Sequence, residues 1–471
     1  MELSIVVLAA GQGSRMKSPL PKVLHTIGGR PMLDHVLKTA RALEPKKIIV
    51  VHGFEGEQVR KHFLHFDLDW VFQEKQLGTG DAVATALPLI PLNHRVLILY
   101  GDVPIIAIDT LKRLLRATPQ NAVGLLTVNA ADPTGLGRII RDLNGDIIRI
   151  VEEKDANEAE KQIHEVNTGI FAVPSGLLAK WLPALENNNA QGEYYLTDII
   201  RFAVKDQVQI ISTVPSVPEE VLGVNDKAQQ VALERFYQKR QAQRLMSEGV
   251  WIADPYRFDL RGDLEVGEDV KLDINIVLEG RNKVGRNTEI GPNCYIKNCE
   301  IADDVKILAN CHLENATIAS GCVVGPFARL RPGTILAQKV GIGNFVEIKN
   351  TKISRDSKVN HLSYLGDAKV GERVNVGAGT ITCNYDGAHK HPTIIEDDVH
   401  IGSDTQLVAP VVVKKGATIG AGSTLTKDAE AGVLTVTHAL NQRPIKGWKR
   451  PIKNKTDLNE EDASCVESQR V

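Results

Sequence analysis

The run VGEDVKLDINIVLEGRNKVGRNTEIGPNCYI, residues 266–296, sets Val266, Leu272, Leu278, Val284, Ile290 and Ile296 on one aliphatic register of six. After a slip of one residue, Ile301, Ile307 and Leu313 continue it. After another come Ile318, Val324, Leu330, Leu336, Ile342 and Ile348, then Ile353, Val359 and Leu365, then Val370 and Val376. The period resumes at Ile395 and runs through Ile401, Leu407, Val413, Ile419 and Leu425, often with glycine next, as at Gly285, Gly291, Gly402 and Gly420. Such a period predicts a parallel β-helix, in which each short strand sends one aliphatic side chain inward and a small neighbour lets the backbone bend at the corner. A helical segment cannot keep a period of six on one face.

Working outward, the length of 471 residues predicts about three domains, a count that a solenoid stretches. Composition is that of a globular chain, 43% apolar and 24% charged. The net charge of −2 gives no bulk electrostatic case for nucleic acid, so any anionic ligand must be held by local groups. Cys294, Cys299, Cys311, Cys322, Cys383 and Cys465 include no Cys-x-x-Cys pair and fall mostly within the repeat, where small buried or turn residues are expected. No segment is long enough to span a membrane, and the apolar run 5–10 is too short for a signal peptide's core, so the expected location is the cytoplasm.

Ahead of the repeat, residues 5–10, 48–52, 96–100, 123–128 and 168–173 read as buried strands with helical patterns between several of them. That alternation predicts an α/β, Rossmann-like domain with a mostly parallel sheet. After the first strand comes Leu8-Ala9-Ala10-Gly11-Gln12-Gly13-Ser14-Arg15-Met16, then Pro21-Lys22. Gly11 and Gly13 let backbone N–H groups approach phosphate oxygens, and Arg15 and Lys22 supply charge; a tight turn with solvated basic residues is the plainer reading. Met16 stands where a dinucleotide fingerprint needs its third glycine, and no Gly-x-x-x-x-Gly-Lys-Ser/Thr occurs, so both of those motifs are excluded. Asp102, at the tip of strand 96–100, lies where open α/β sheets bind ligands, as a Mg²⁺ ligand or as a helix N-cap.

These features resemble the sugar-1-phosphate nucleotidyltransferase family across the whole N-terminal domain. Beside the first loop, the resemblance rests on Gln73, Leu77-Gly78-Thr79-Gly80, Tyr100-Gly101-Asp102, Gly137-Arg138, Glu152-Glu153-Lys154, Asn167-Thr168-Gly169 and Gly223-Val224-Asn225. It implies that the first loop with Gln73, Gly78, Thr79 and Tyr100-Gly101-Asp102 binds the nucleotide. It also implies that Gly137, Glu152, Asn167 and Asn225 hold the sugar, that Asp102 and Asn225 bind Mg²⁺, and that Lys22 meets the phosphates, with Lys22 and Arg15 as the catalytic cations. In that chemistry a phosphate oxygen, already anionic, attacks the α-phosphorus of a nucleoside triphosphate. The site then needs charge neutralisation and alignment rather than a general base.

Residues 227–248 read as one linker helix, with Ala228, Ala232 and Phe236 on a shared face, Val231 and Leu233 nearby, and Gly249 ending it. In the repeat, chemistry is expected where the period breaks, since insertions emerge on one face. One break is Val359-Asn360-His361-Leu362-Ser363-Tyr364-Leu365-Gly366-Asp367. The other lies between Val376 and Ile395 and contains Asn384-Tyr385-Asp386-Gly387, which also suits a β-turn. Histidine changes charge near neutral pH, so His361 is a candidate base or a structural residue.

Nucleotidyltransferase, linker and repeat together are similar, over residues 3–450, to the bacterial bifunctional N-acetylglucosamine-1-phosphate uridyltransferase/glucosamine-1-phosphate acetyltransferase family. In the repeat the resemblance is carried by Gly325-Pro326-Phe327-Ala328-Arg329-Leu330-Arg331-Pro332 and Gly343-Asn344-Phe345-Val346-Glu347-Ile348-Lys349. It continues in the segments 361–367 and 375–387 and in Gly402-Ser403-Asp404-Thr405-Gln406. It implies a left-handed β-helix of hexapeptide repeats. In it Arg331, Lys349, Tyr364, Asn375 and Lys390 hold an amino-sugar phosphate, while Ala378, Asn384, Tyr385, Ser403 and Ala421 line an acetyl-CoA site. His361 takes the proton from the amine. Where the family places an Arg toward the CoA phosphates this chain has His438, with Arg443 or Lys446 as substitutes. The implied partners are UTP, acetyl-CoA and glucosamine-1-phosphate, with Mg²⁺ as cofactor, a homotrimer as assembly, and neither nucleic acid nor membrane. The implied product is UDP-N-acetylglucosamine, a precursor of peptidoglycan and lipopolysaccharide. Expected divisions are 1–226, 227–248 and 249–471, with a polar, poorly ordered tail beyond Pro451. The competing expectation keeps nucleotidyl transfer alone and makes the repeat an oligomerising or regulatory scaffold.

Overall fold

The computed structural model describes residues 1–53, 55–438 and 441–447. Cys465 and the tail beyond Pro451 lie outside the described residues, as do the side chains of His438 and Arg443. The chain forms two compact units that part between Arg240 and Gln241. Among the described residues, no helix is long and apolar enough to cross a membrane.

In the first unit, strand Leu3–Ala9 lies between Lys47–His52 and Arg95–Tyr100, parallel to both, and Asp69–Phe72 extends the sheet in the same sense. Glu165–Pro174 runs antiparallel between Arg95–Tyr100 and Val123–Asn129, and Ile210–Thr213 pairs with the latter in parallel. The strands read as continuous aliphatic runs because both faces are covered. Ile5 and Val7 face a core with Leu33, Val36 and Leu37, whereas Val6 and Leu8 face another with Val83, Ala86 and Leu178. Strand order reverses beside Leu3–Ala9, so the loops after Ala9 and after Tyr100 open a crevice at the carboxyl ends of adjacent strands.

Helix Lys227–Ser247 buries Leu233 and packs Phe236 and Tyr237 against Met16, Ile27, Met32, Ile105 and Val224 in the first unit. Further on, Ala242 and Leu245 join the core of the second unit. Of the expected face, Leu233 and Phe236 pack inward while Ala228, Val231 and Ala232 are exposed; the larger side chains at 233, 236 and 237 remove more apolar area from water. Gly249 ends the helix with φ of 95°, a left-handed conformation that glycine adopts freely.

The second unit is a left-handed parallel β-helix. Leu272, Ile290, Ile307, Val324, Ile342, Val359, Val376, Ile401 and Ile419 pair in turn down one face, all buried. Each step is 17 or 18 residues until Val376, whose partner Ile401 is 25 further on. The excess is a detour, and it is shorter than the lapse in the aliphatic period suggests. Strand Ile381–Cys383 still pairs with Gln406–Val408, and the buried Thr382 occupies the inward position. Its hydroxyl is satisfied there, donating to Gly366 O at 3.1 Å and accepting from Gly366 N–H at 2.7 Å. The chain leaves the ladder after Cys383 and rejoins it at Thr393, opposite Ala368.

Candidate active sites

The crevice of the first unit holds a cavity of about 350 Å³ lined by Leu8, Ala9, Ala10, Gly11, Lys22, Gln73, Gly78, Thr79, Tyr100 and Asp102. Gly13 is required by the packing beneath it: φ is 63°, and a Cβ there would stand 2.6 Å from the Cβ of Lys22. Lys22 Nζ forms an ion pair with Asp102 and donates to Asn225 Oδ1 at 2.8 Å, while Val224 N–H donates to Asp102 O at 3.0 Å. A carboxylate and an amide oxygen from distant parts of the chain thus converge on one cation. Two hard oxygens facing one positive charge fit Mg²⁺, which takes its remaining ligands from water and phosphates. Arg15, by contrast, is exposed and does not line the cavity.

Glu152 and Asn167 sit beyond Tyr100. Gly169, at φ of 80°, seats the Tyr100 ring, since a Cβ would stand 2.4 Å from it. Asn167 N–H donates to Gly137 O at 2.8 Å, and Thr197 Oγ1 donates to Glu152 Oε1 at 3.0 Å. Burial pushes the Glu152 carboxyl above the ordinary range, against the Thr197 bond. Burial first, then Glu152 and Asp102, pushes the Tyr100 phenol up. Glu152 borders a second cavity of about 280 Å³, with Asp155, Tyr195, Thr197 and Asp198, and not the one that Asp102 lines.

In the β-helix the candidates gather along one corner. Backbone N–H groups of Leu362, Gly379, Asp404 and Gly422 donate to the carbonyls of Asn344, His361, Ala378 and Ser403. Asn344, His361, Ala378, Ser403 and Ala421 therefore stand in one column, a coil apart. His361 is exposed, with Nδ1 3.0 Å from Asn344 Oδ1. With the amide oxygen accepting from Nδ1–H, the Nε2 lone pair is left as the basic site. In the sequence Asn344 carries no signal of its own; only its register opposite His361 marks it.

Past the corner, Arg331, Lys349 and Gly366 stack on successive coils. Arg331 Nη1 donates to Glu347 Oε1 at 2.8 Å. Lys390, reaching back from the detour, lowers the pKa of the Lys349 ammonium, as two like charges side by side must. Asp367 accepts from Asn350 and Asn384, and those bonds with Lys349 and Lys390 hold its carboxyl below the ordinary range despite burial. Gly366 leaves room for Tyr364 and Asn384: a Cβ would stand 2.3 Å from the Tyr364 hydroxyl and 2.8 Å from Asn384 Nδ2. The detour is braced internally. Asp386 accepts from Ala388 N–H, His389 N–H and His391 Nε2, and Tyr385 OH donates to Gly387 O. Asn375 lies on the other side of the corner, in the neighbouring sheet.

The family model for the MobA-like NTP transferase domain matches residues 5–201, that for the GMPPB C-terminal domain 260–364, and that for the bacterial transferase hexapeptide (six repeats) 392–427. A bifunctional protein GlmU from Azoarcus sp. (strain BH72) is 53% identical over 453 residues, 96% of this chain and 100% of its own. The chain belongs to the GlmU family. Other GlmU relatives agree over equal spans: one from Pseudomonas putida (strain GB-1) is 54% identical over 97% of this chain and 100% of its own. One from Methylococcus capsulatus is 53% identical over 99% and 100%. A solved nucleotidyl transferase from Methanothermobacter thermautotroptrophicus aligns over 51% of this chain and 99% of its own at 18% identity and a TM-score of 0.37, too distant to bear on the GlmU activities.

Proposed function

We propose that the two reactions of this bifunctional transferase divide between the cavity beside Leu3–Ala9 and the corner column of the β-helix. In the β-helix an acetyl group passes from acetyl-CoA to glucosamine-1-phosphate; in the first unit a uridylyl group passes from UTP to the N-acetylglucosamine-1-phosphate so formed. UDP-N-acetylglucosamine and pyrophosphate are the products. Whole-length likeness to bifunctional proteins leaves the scaffold expectation without support. The observation that carries the assignment is that each distant set of residues converges: Asp102 and Asn225 on Lys22, and Asn344 to Ala421 in one column.

For acetyl transfer, the paired charges of Lys349 and Lys390, with Arg331, suit the sugar phosphate. His361 Nε2 takes a proton from the 2-amine as its nitrogen bonds to the thioester carbonyl carbon. The tetrahedral adduct then breaks its C–S bond and the CoA thiolate leaves. For uridylyl transfer, a phosphate oxygen of the sugar attacks the α-phosphorus and the bond to pyrophosphate breaks. Lys22 holds phosphate charge, Gly11 offers backbone N–H, and Glu152 and Asn167 orient the sugar. Asp102 and Asn225 would hold Mg²⁺, which when bound supplies charge neutralisation on the triphosphate. The assembly this reading implies is a cytoplasmic homotrimer, and exposed Phe327, Phe345 and Leu362 supply an apolar corner for its contacts.

Assaying both half-reactions on two variants tests the division. His361→Ala is expected to lose acetyl transfer by at least about a hundredfold and keep uridylyl transfer; Asp102→Ala does the reverse. Acetylation at the parent rate by His361→Ala would remove the base assignment.

A further inference from the structure

The nucleotide cavity contains a polar group whose orientation is fixed chiefly by a residue outside it. Gln73 is 4% exposed and lines the cavity. Its Nε2 donates to Asp81 Oδ2 at 2.7 Å and to Gly78 O at 3.3 Å. An amide's nitrogen and oxygen are alike in shape, and only their partners tell them apart. Here both partners are acceptors: a carbonyl never donates, and a carboxylate donates only when protonated. The nitrogen must face them. Oε1 is thereby left without a partner among the described residues, on a side chain that lines the cavity.

The clamp is itself held. Gly80 N–H donates to Tyr194 O at 2.8 Å and Tyr194 N–H to Leu77 O at 2.7 Å, pinning the turn that carries Gly78. A Cβ on Gly78 would stand 2.6 Å from Tyr194 O, and φ is 114°, so the turn admits glycine there. Asp81 follows in the first turn of helix Thr79–Ala86, where the helix dipole favours a negative charge. Asp81 does not line the cavity.

We propose that Asp81 is a positioning residue that sets pyrimidine selection in nucleotidyl transfer. By holding the Gln73 nitrogen at 2.7 Å, closer than the 3.3 Å to Gly78 O, it is the main restraint that obliges Gln73 to offer the base an acceptor only. A base whose facing edge carries an imide N–H, as uracil does at N3, completes that bond. Cytosine presents a lone pair at the same place, so two acceptors meet and a buried polar group goes unpaired. The inference rests on the reading of this cavity as the nucleobase site.

The test is steady-state uridylyl transfer with UTP and with CTP, on the full chain, for the parent, Asp81→Ala and Asp81→Asn. The UTP-to-CTP ratio of kcat/KM is expected to fall about tenfold or more in Asp81→Ala, mainly through KM. Asp81→Asn keeps most of the ratio, because its Oδ1 accepts the same bond. A kcat with UTP near the parent's in both variants shows that the first unit is folded, since the expected effect falls on KM. An Asp81→Ala ratio within about twofold of the parent's overturns the proposal, since a merely structural role lowers both nucleotides alike. Loss of the ratio in Asp81→Asn as complete as in Asp81→Ala overturns the acceptor role. A parent that does not prefer UTP overturns the nucleobase reading itself.

Discussion

Glu152 holds its carboxyl in a site that raises its pKa, chiefly by burial and with help from Asp155, Asp198 and Glu193. The folded chain therefore binds that proton more tightly than the unfolded chain. The resulting stability is whole below the unfolded value of about 4.3 and is lost as pH rises through the higher folded one. Glu152→Gln removes the charge, so thermal unfolding of the first unit should move upward at pH 8 and converge on the parent near pH 4, while uridylyl transfer drops. A variant destabilised at both pH values would show that burial of the charge carries no cost. The motifs made Asp102 and Asn225 legible as individual residues, but not the Lys22 bridge between them, because nothing in sequence reports a distance. Asp81 was illegible for a sharper reason: one acidic residue in a helix's first turn is ordinary, and its meaning comes from the amide opposite.

At the next scale, the corner column of the β-helix is a run of left-handed backbone positions. Asn293, Asn310, Phe327, Phe345, Leu362, Gly379, Asp404 and Gly422 all have positive φ. Asparagine, aspartate and glycine tolerate that conformation; for phenylalanine and leucine it costs about 1–2 kcal/mol each. Phe327 and Phe345 nevertheless stack there with ring centroids 5.2 Å apart, and Leu362 is 63% exposed. In the homotrimer proposed above, these strained, exposed apolar residues beside His361 supply contacts between subunits. Phe345→Gly is expected to change thermal stability by no more than about 1 kcal/mol, because relieved strain offsets lost stacking. Acetyl transfer should fall about tenfold with uridylyl transfer intact, as assays of both half-reactions will show. The aliphatic period made this element legible along nearly its whole length, since an inward strand position leaves few choices. It failed at Thr382, where a hydroxyl bonded to Gly366 does the work of an aliphatic side chain. The helix Lys227–Ser247 was legible in extent and in part of its facing: Leu233 and Phe236 pack inward as the pattern predicts, while neighbours rather than period add Tyr237 and leave Ala228 and Ala232 exposed.

For the whole molecule, two chemistries share one chain and the product of the first is the substrate of the second. If N-acetylglucosamine-1-phosphate is released to solution between them, a mixture of His361→Ala and Asp102→Ala should make UDP-N-acetylglucosamine from glucosamine-1-phosphate where neither variant alone does. The measurement is product formed against time; a mixture as inactive as its parts would mean that the intermediate does not leave. The step of 25 residues between Val376 and Ile401 also bears on how such a protein changes over generations. Residues 384–392 leave a ladder that is already closed through Thr382 and resumes at Thr393, and they are tied off by their own bonds. The frame and the tool mounted on it are thus separately heritable. A lineage can lengthen, shorten or replace the excursion without recounting a single coil, and so alter what the corner grips while the column that presents it stays put.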